Sequence, residues 1–187
     1  AVAMTDADVL VVADADCVCD AVGEAVDQVV SGRYAWASPH ITIRRLSEEG
    51  TRAVLDGVDP SPLLPAACKA YSGVPGGGIT VISRKAWVRC PIDPRFFVTH
   101  GEDTSWACAL RVTAGKPWRG KLPLYHLWHP PTPPMGERFH RNRALAMRYR
   151  HAESGSYRQR GTSPIDQLLA EAASWRPLTV PEPMDSG

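Results

Sequence analysis

Three clusters in this chain carry residue types that do chemistry. Asp14-Ala15-Asp16 sets two carboxylates two residues apart where an apolar run ends. Side chains two apart on a strand share a face, so the pair reads as a hard-oxygen site for Mg2+ or Mn2+. It also falls at the carboxyl end of a strand, where open α/β sheets bind their ligands. Two unpaired carboxylates repel, which makes a cation their natural partner. The plainer reading is a turn in which one Asp caps the next helix; Asp20 is the better cap. Gly101-Glu102-Asp103 opens a helical pattern, where acids offset the macrodipole. Asp103, Ala107, Leu110 and Ala114 fall on one helical face. That spacing holds Asp103 at the rim of a pocket, where it could serve as a general base. His126 and His129 end a strand pattern, and both reach one ion only if the chain turns at Trp128-His129-Pro130.

Several elements must position these groups. Val9–Ala13 (VLVVA) is a continuous apolar run between acids and predicts a strand buried on both faces. A helix capped by Asp20 follows, with Val22, Val26, Val29 and Val30 at helical spacing and Gly32 at its end. Tyr34–Ser38 and Ile41–Leu46 are β-leaning, and residues 47–58 form a short helix. Residues 59–75 hold four prolines and read as an irregular loop. Gly76-Gly77-Gly78 lets the backbone approach a ligand closely and opens a strand over 79–83, with 84–89 helical. Residues 93–100 read as loop, 102–114 as a helix stopped by Gly115, and 122–128 as a strand. Pro130-Pro131-Thr132-Pro133-Pro134 is a rigid spacer. A basic helix spans 137–152, and Ser163-Pro164-Ile165-Asp166 starts another with a capping box. The stretch from Trp175 is a loose, Pro-rich end.

Composition narrows the classes. The 187 residues are one ordinary domain's worth, and a 44% hydrophobic share supplies a packed core. No apolar run approaches the roughly 20 residues of a membrane span, and the first eight residues do not form a secretory signal. A net charge of +1 gives no case for binding nucleic acid. That total hides a dipole: seven acids and one cation-free stretch up to Gly32, against seven Arg and two Glu over 137–160. The basic helix could meet an acidic acceptor, an anionic lipid surface or a partner domain. Five cysteines (Cys17, Cys19, Cys68, Cys90, Cys108) are an odd set without a zinc spacing. They read as reduced thiols, hence a cytoplasmic setting with peripheral membrane contact left open.

The order of these motifs is more specific than any one of them. A DxD after a buried strand, GG before a strand, GED opening a helix and H-x-x-H resembles the glycosyltransferases of the GT-A fold. Within them, Gly76–Trp87, Ile92–Phe96 and Gly101–Trp106 resemble the inverting family 2 enzymes with a galactosyltransferase-type C-terminal region. The likeness covers roughly residues 1–130. It implies an α/β fold with a mixed sheet flanked by helices, followed by a helical extension over 131–176 and a flexible tail over 177–187. It implies a nucleotide-sugar donor, UDP-sugar favoured, and a glycan or other hydroxyl acceptor. Asp14 and Asp16 would hold Mn2+ or Mg2+ against the donor diphosphate, with His126 and His129 as further ligands. Gly77 and Gly78 would line the donor sugar. Asp103 would deprotonate the acceptor, with Glu102 contacting acceptor or donor sugar. Trp87, Trp106 and Trp128 could offer faces to a sugar, though core packing suits most of them better.

The likeness has departures. Val98-Thr99-His100 stands where the Golgi galactosyltransferases carry aromatic residues, so donor and acceptor preference do not carry across. Only eight residues precede Val9, whereas the family places a nucleotide-gripping segment there. The chain is therefore expected to be the second half of a catalytic domain, weakly active alone, and to associate with the missing segment or with itself. Two other readings remain at this point: a degenerate module that binds without turnover, and a metal-dependent hydrolase using Asp14, Asp16 and His129.

Overall fold

The computed structural model describes residues 5–70, 77–96, 101–130, 136–156 and 161–175, side chains 68–70 excepted. Gly76, Val98 to His100, the spacer after Pro130, Arg158, Arg160 and the tail lie outside the described residues.

The chain runs β1 (Val9–Ala13), β2 (Cys17–Val18), α1 (Val22–Val30), β3 (Trp36–Arg45), α2 (Glu48–Leu55), β4 (Ala67–Ala70), β5 (Ile79–Ser83), α3 (Arg84–Arg89), α4 (Glu102–Thr113), β6 (Trp118–His126), α5 (Gly136–Ser156) and α6 (Pro164–Ser174). The strands form one mixed sheet in the order β1-β5-β3-β6-β2, with β4 also paired to β3. The β3–β6 ladder is parallel and the others are antiparallel. The fold is thus mixed α/β with helices on both faces.

Period-2 alternation along the strands feeds two cores. Ala37 and Val81 face α1, where Ala25 and Val29 meet them. Leu10, Trp36 and Ile82 face the other way, onto Trp106 to Leu110 of α4. Tyr149 and Ala152 of α5 and Ile165 and Leu168 of α6 complete that core. Each such large side chain contributes about 1.5–3 kcal/mol by burial. Polar bonds pin the loop after α3 to the same helices. Arg95 clasps Asp93 through Nε and Nη2 at 3.0 and 2.7 Å, and the Tyr149 hydroxyl donates to Asp93 at 2.8 Å. Ser163 and Asp166 form the expected capping box of α6.

Several expectations need correction. β1 keeps the predicted bounds but, among the described strands, lies at the edge and pairs only with β5, and Val11 on it is 47% exposed. Its continuous apolar run therefore did not report burial on both faces. Asp20 does not cap α1: the cap is Ala21, with no side-chain bond. The two β-leaning stretches around Pro39 are one strand, β3. It passes Pro39 by shifting its register against β6 on either side of His40, with the side-chain-free Gly120 against the Pro39 carbonyl. The proline-rich loop contains β4. β6 begins four residues earlier than expected and ends at His126.

Candidate metal and acid–base site

The site lies at one end of the sheet and is assembled from turns rather than from a strand face. β1 stops at Ala13, so Asp14 and Asp16 do not share a strand face as the two-residue spacing suggested. A turn brings them together, with the Cys17 N–H donating to the Asp14 carbonyl at 3.3 Å. The backbone N–H of Asp14 donates to the Gly78 carbonyl at 2.8 Å, and the Gly78 N–H donates back to Asp14 Oδ2 at 3.0 Å. This reciprocal pair fixes the first carboxylate against the glycine turn.

Asp16 faces the histidines. Its Oδ2 is 3.2 Å from His129 Nε2 and 3.6 Å from His126 Nε2. The condition set by the sequence is met: β6 ends at His126, and the chain bends so that the two rings lie 5.3 Å apart. Backbone bonds hold the bend. The Leu127 N–H donates to the Asp16 carbonyl at 2.8 Å and the Trp128 N–H to the buried Thr51 hydroxyl at 2.6 Å.

The tautomers follow from the partners. His126 Nδ1 is 2.8 Å from the Leu127 carbonyl and His129 Nδ1 is 2.9 Å from the Pro130 carbonyl. A carbonyl only accepts, so each Nδ1 carries the proton. Arg45 Nη1, which only donates, lies 3.4 Å from His126 Nε2. A neutral His126 has its Nε2 lone pair on the side of Arg45 and Asp16, where a divalent cation would satisfy imidazole and carboxylate together. Asp16, His126 and His129 have ligand atoms within 4.8 Å of one another, as do Asp14, Asp16 and Cys17. The mixed imidazole and carboxylate donor set is one that a divalent metal can take.

Asp103 stands on the other side of the glycines. Gly101, in a left-handed conformation at φ 96°, begins α4 and turns the first helical residues inward. A Cβ on Gly77 would lie 2.9 Å from Asp103 Oδ2, so the glycine's lack of a side chain makes room for the carboxylate. A Cβ on Gly78 would lie 2.6 Å from Leu124 Cδ1. Burial, then the neighbouring charges of Glu102 and Asp14, pushes the Asp103 carboxyl up to about 7. Among the described residues, Glu102 Oε2 is buried and has no hydrogen-bond partner.

Three participants were not legible in the sequence. Arg45 and Cys17 each stand opposite His126, on β3 and β2. Burial and then the Asp16 and Asp14 charges push the Cys17 thiol up to about 12. Buried His40 lies under Gly78 and is lowered to about 4, by burial and by Arg119. Register in the sheet puts Arg45 here and sets Cys17, the residue after Asp16, opposite His126. Of the three tryptophans, Trp106 is buried and donates its Nε1–H to the Cys90 carbonyl at 2.8 Å, and Trp87 packs edge-on against it at 5.5 Å. Trp128 is 42% exposed and, with Arg45, His126 and His129, lines a cavity of about 270 Å³ beside Asp16.

Cys17, Cys19, Cys90 and Cys108 are free thiols. Among the described residues no helix is long and apolar enough to cross a membrane. No family model matches the chain, and no curated protein matches it.

Proposed function

We propose that this chain is a metal-dependent glycosyltransferase of the GT-A type, moving a sugar from a nucleotide sugar to a hydroxyl acceptor with inversion. One observation carries the reading: Asp14, locked to Gly78, and Asp103, accommodated by Gly77, flank one glycine turn, while Asp16 closes on two histidines. A cation ligand and a proton acceptor thus meet at one glycine turn.

The division of labour follows from the environments. Asp16, His126 and His129, with Asp14 nearby, would hold Mn2+ or Mg2+. Such an ion neutralises the charge that builds on a leaving diphosphate. Arg45 is exposed beside His126 and is free to turn toward the same phosphates. Gly77 and Gly78 form the turn between the two carboxylates, beside which the donor sugar would lie. Asp103 takes the acceptor hydroxyl proton on its carboxylate oxygen. A base near 7 is well matched to that task at neutral pH. Neutralising Asp14 removes one of the causes that hold Asp103 protonated, so donor binding readies the base.

Calorimetric titration of UDP and of GDP, with and without Mn2+, tests the reading on the wild type and on Asp16→Ala. Metal-dependent nucleotide binding that the variant loses is the expected result. Absence of nucleotide binding in every condition refutes it. The Asp16–His129 pairing also favours a second reading, a metal-dependent hydrolase, which binds metal equally well without nucleotide.

A further inference from the structure

The carboxylate of Asp16 points in two directions. Oδ2 faces the two imidazoles, at 3.2 and 3.6 Å, while Oδ1 accepts from the Cys17 thiol at 3.7 Å. Cys17 begins β2 and stands directly opposite His126 in the β2–β6 ladder. Cross-strand partners project to the same face, so the sulfur sits beside the imidazole rather than behind the sheet. The Sγ, an Asp14 oxygen and an Asp16 oxygen lie within 4.8 Å of one another, and Cys17 is half-buried while Asp14 is exposed, so an ion has access.

We infer that the centre has two adjacent cation positions bridged by Asp16: one on Asp16, His126 and His129, and a second, thiophilic one on Asp14, Asp16 and Cys17. Donor chemistry separates them. Two imidazoles and a carboxylate accept a broad range of first-row divalent ions, whereas a thiolate selects Zn2+, Cd2+ or Co2+ over Mn2+ and Mg2+. On binding, the Cys17 S–H bond breaks, the sulfur lone pair goes to the metal and the proton leaves to solvent. A carboxylate bridging two cations through its separate oxygens is the usual way a protein holds them a few ångströms apart. The inference rests on the ligand geometry alone and stands whether or not the chain transfers a sugar. Its consequence for the proposed reaction is that a thiophilic ion engages Asp14, the residue paired with the donor-side glycine turn.

Cobalt(II) titration of the full chain, reduced and stripped of metal by a chelator, tests this without any nucleotide. Absorbance reports sulfur-to-cobalt charge transfer, and calorimetry reports stoichiometry. The wild type is expected to bind two equivalents and to show the charge-transfer band. Cys17→Ser should bind one equivalent and lose the band. The double variant His126→Ala with His129→Ala should bind one equivalent and keep it. Circular dichroism checks folding, and Cys17→Ala replaces the serine variant if that one unfolds. A wild type without the band, a band that survives loss of Cys17, or a band lost with the histidines overturns the inference. The last outcome would mean one ion shared by all five ligands. Failure of nucleotide binding, measured separately, would overturn the transferase reading and leave this one standing.

Discussion

Asp16, His126 and His129 have side chains 32%, 16% and 48% exposed, on turns at the open end of the sheet. Asp103 lies across the glycine turn from them, drawn into the protein on the first turn of a helix whose next residues form the core. Both sides depend on carboxylates, yet each is held differently. The metal side is positioned by backbone hydrogen bonds, from Leu127 to Asp16, from Trp128 to Thr51 and between Asp14 and Gly78. The base side is positioned by packing and by the space that Gly77 leaves. In the proposed reading, environment assigns the roles: the carboxylates beside the imidazoles and the open end of the sheet suit a cation, and the half-buried Asp103 beside like charges suits a proton.

The contrast predicts that the two sides fail separately. Asp103→Asn should lower the transfer rate about 10²–10⁴-fold, the usual worth of a general base, while calorimetric Mn2+ binding stays as in the wild type. Equal loss of both would show that the sides are one unit. Asp16→Ala should do the reverse at the binding level. Its metal affinity should fall at least about 10–100-fold, the loss seen even for groups behind the ligands. Gly78→Ala probes the hinge between the sides. Its Cβ meets fully buried Leu124 and its φ of 82° disfavours a side chain, so thermal unfolding should show a loss of about 2 kcal/mol.

The smallest effect is a change in pH dependence. Folded Asp103 keeps its proton up to about pH 7, whereas an unfolded Asp releases it near 3.8. The stability this contributes is complete below the unfolded value and is lost as pH rises toward 7. Asp103→Asn should therefore match the wild type in stability at pH 4 and exceed it at pH 8. In parallel, the wild-type rate should climb with pH and level off above about 7. A pH-independent difference in melting temperature would sink this account of the base.

How much of this the sequence carried depends on the range of the signal. α4 and the α6 capping box were local matters of periodicity and capping, and they were legible. So was the need for a bend after His126, because strand periodicity alone forbids i and i+3 side chains from meeting. The edge position of β1 was not legible, since an apolar run reports hydrophobicity and not neighbours. Asp14 and Asp16 were rightly paired for the wrong reason: a turn, not a strand face, joins them. Arg45 was invisible as a site residue, and Cys17 was set aside for want of a zinc spacing, because only strand register brings them opposite His126. β3 was split in two by Pro39, whose cost is met far along the chain by Gly120.

The edge strand has a consequence for timing. Among the described strands, β1 is paired only to β5, and Asp14 is the first residue past its end. Edges fray first, and local opening sets the exchange of amide hydrogens with solvent. An ion gripping Asp14 would clamp the loose end of that ladder. Deuterium uptake along residues 9–14 should slow when Mn2+ is added, while the central β3 keeps its rate. The strand's amides would then serve as a clock for occupancy of the site, readable before any substrate is known.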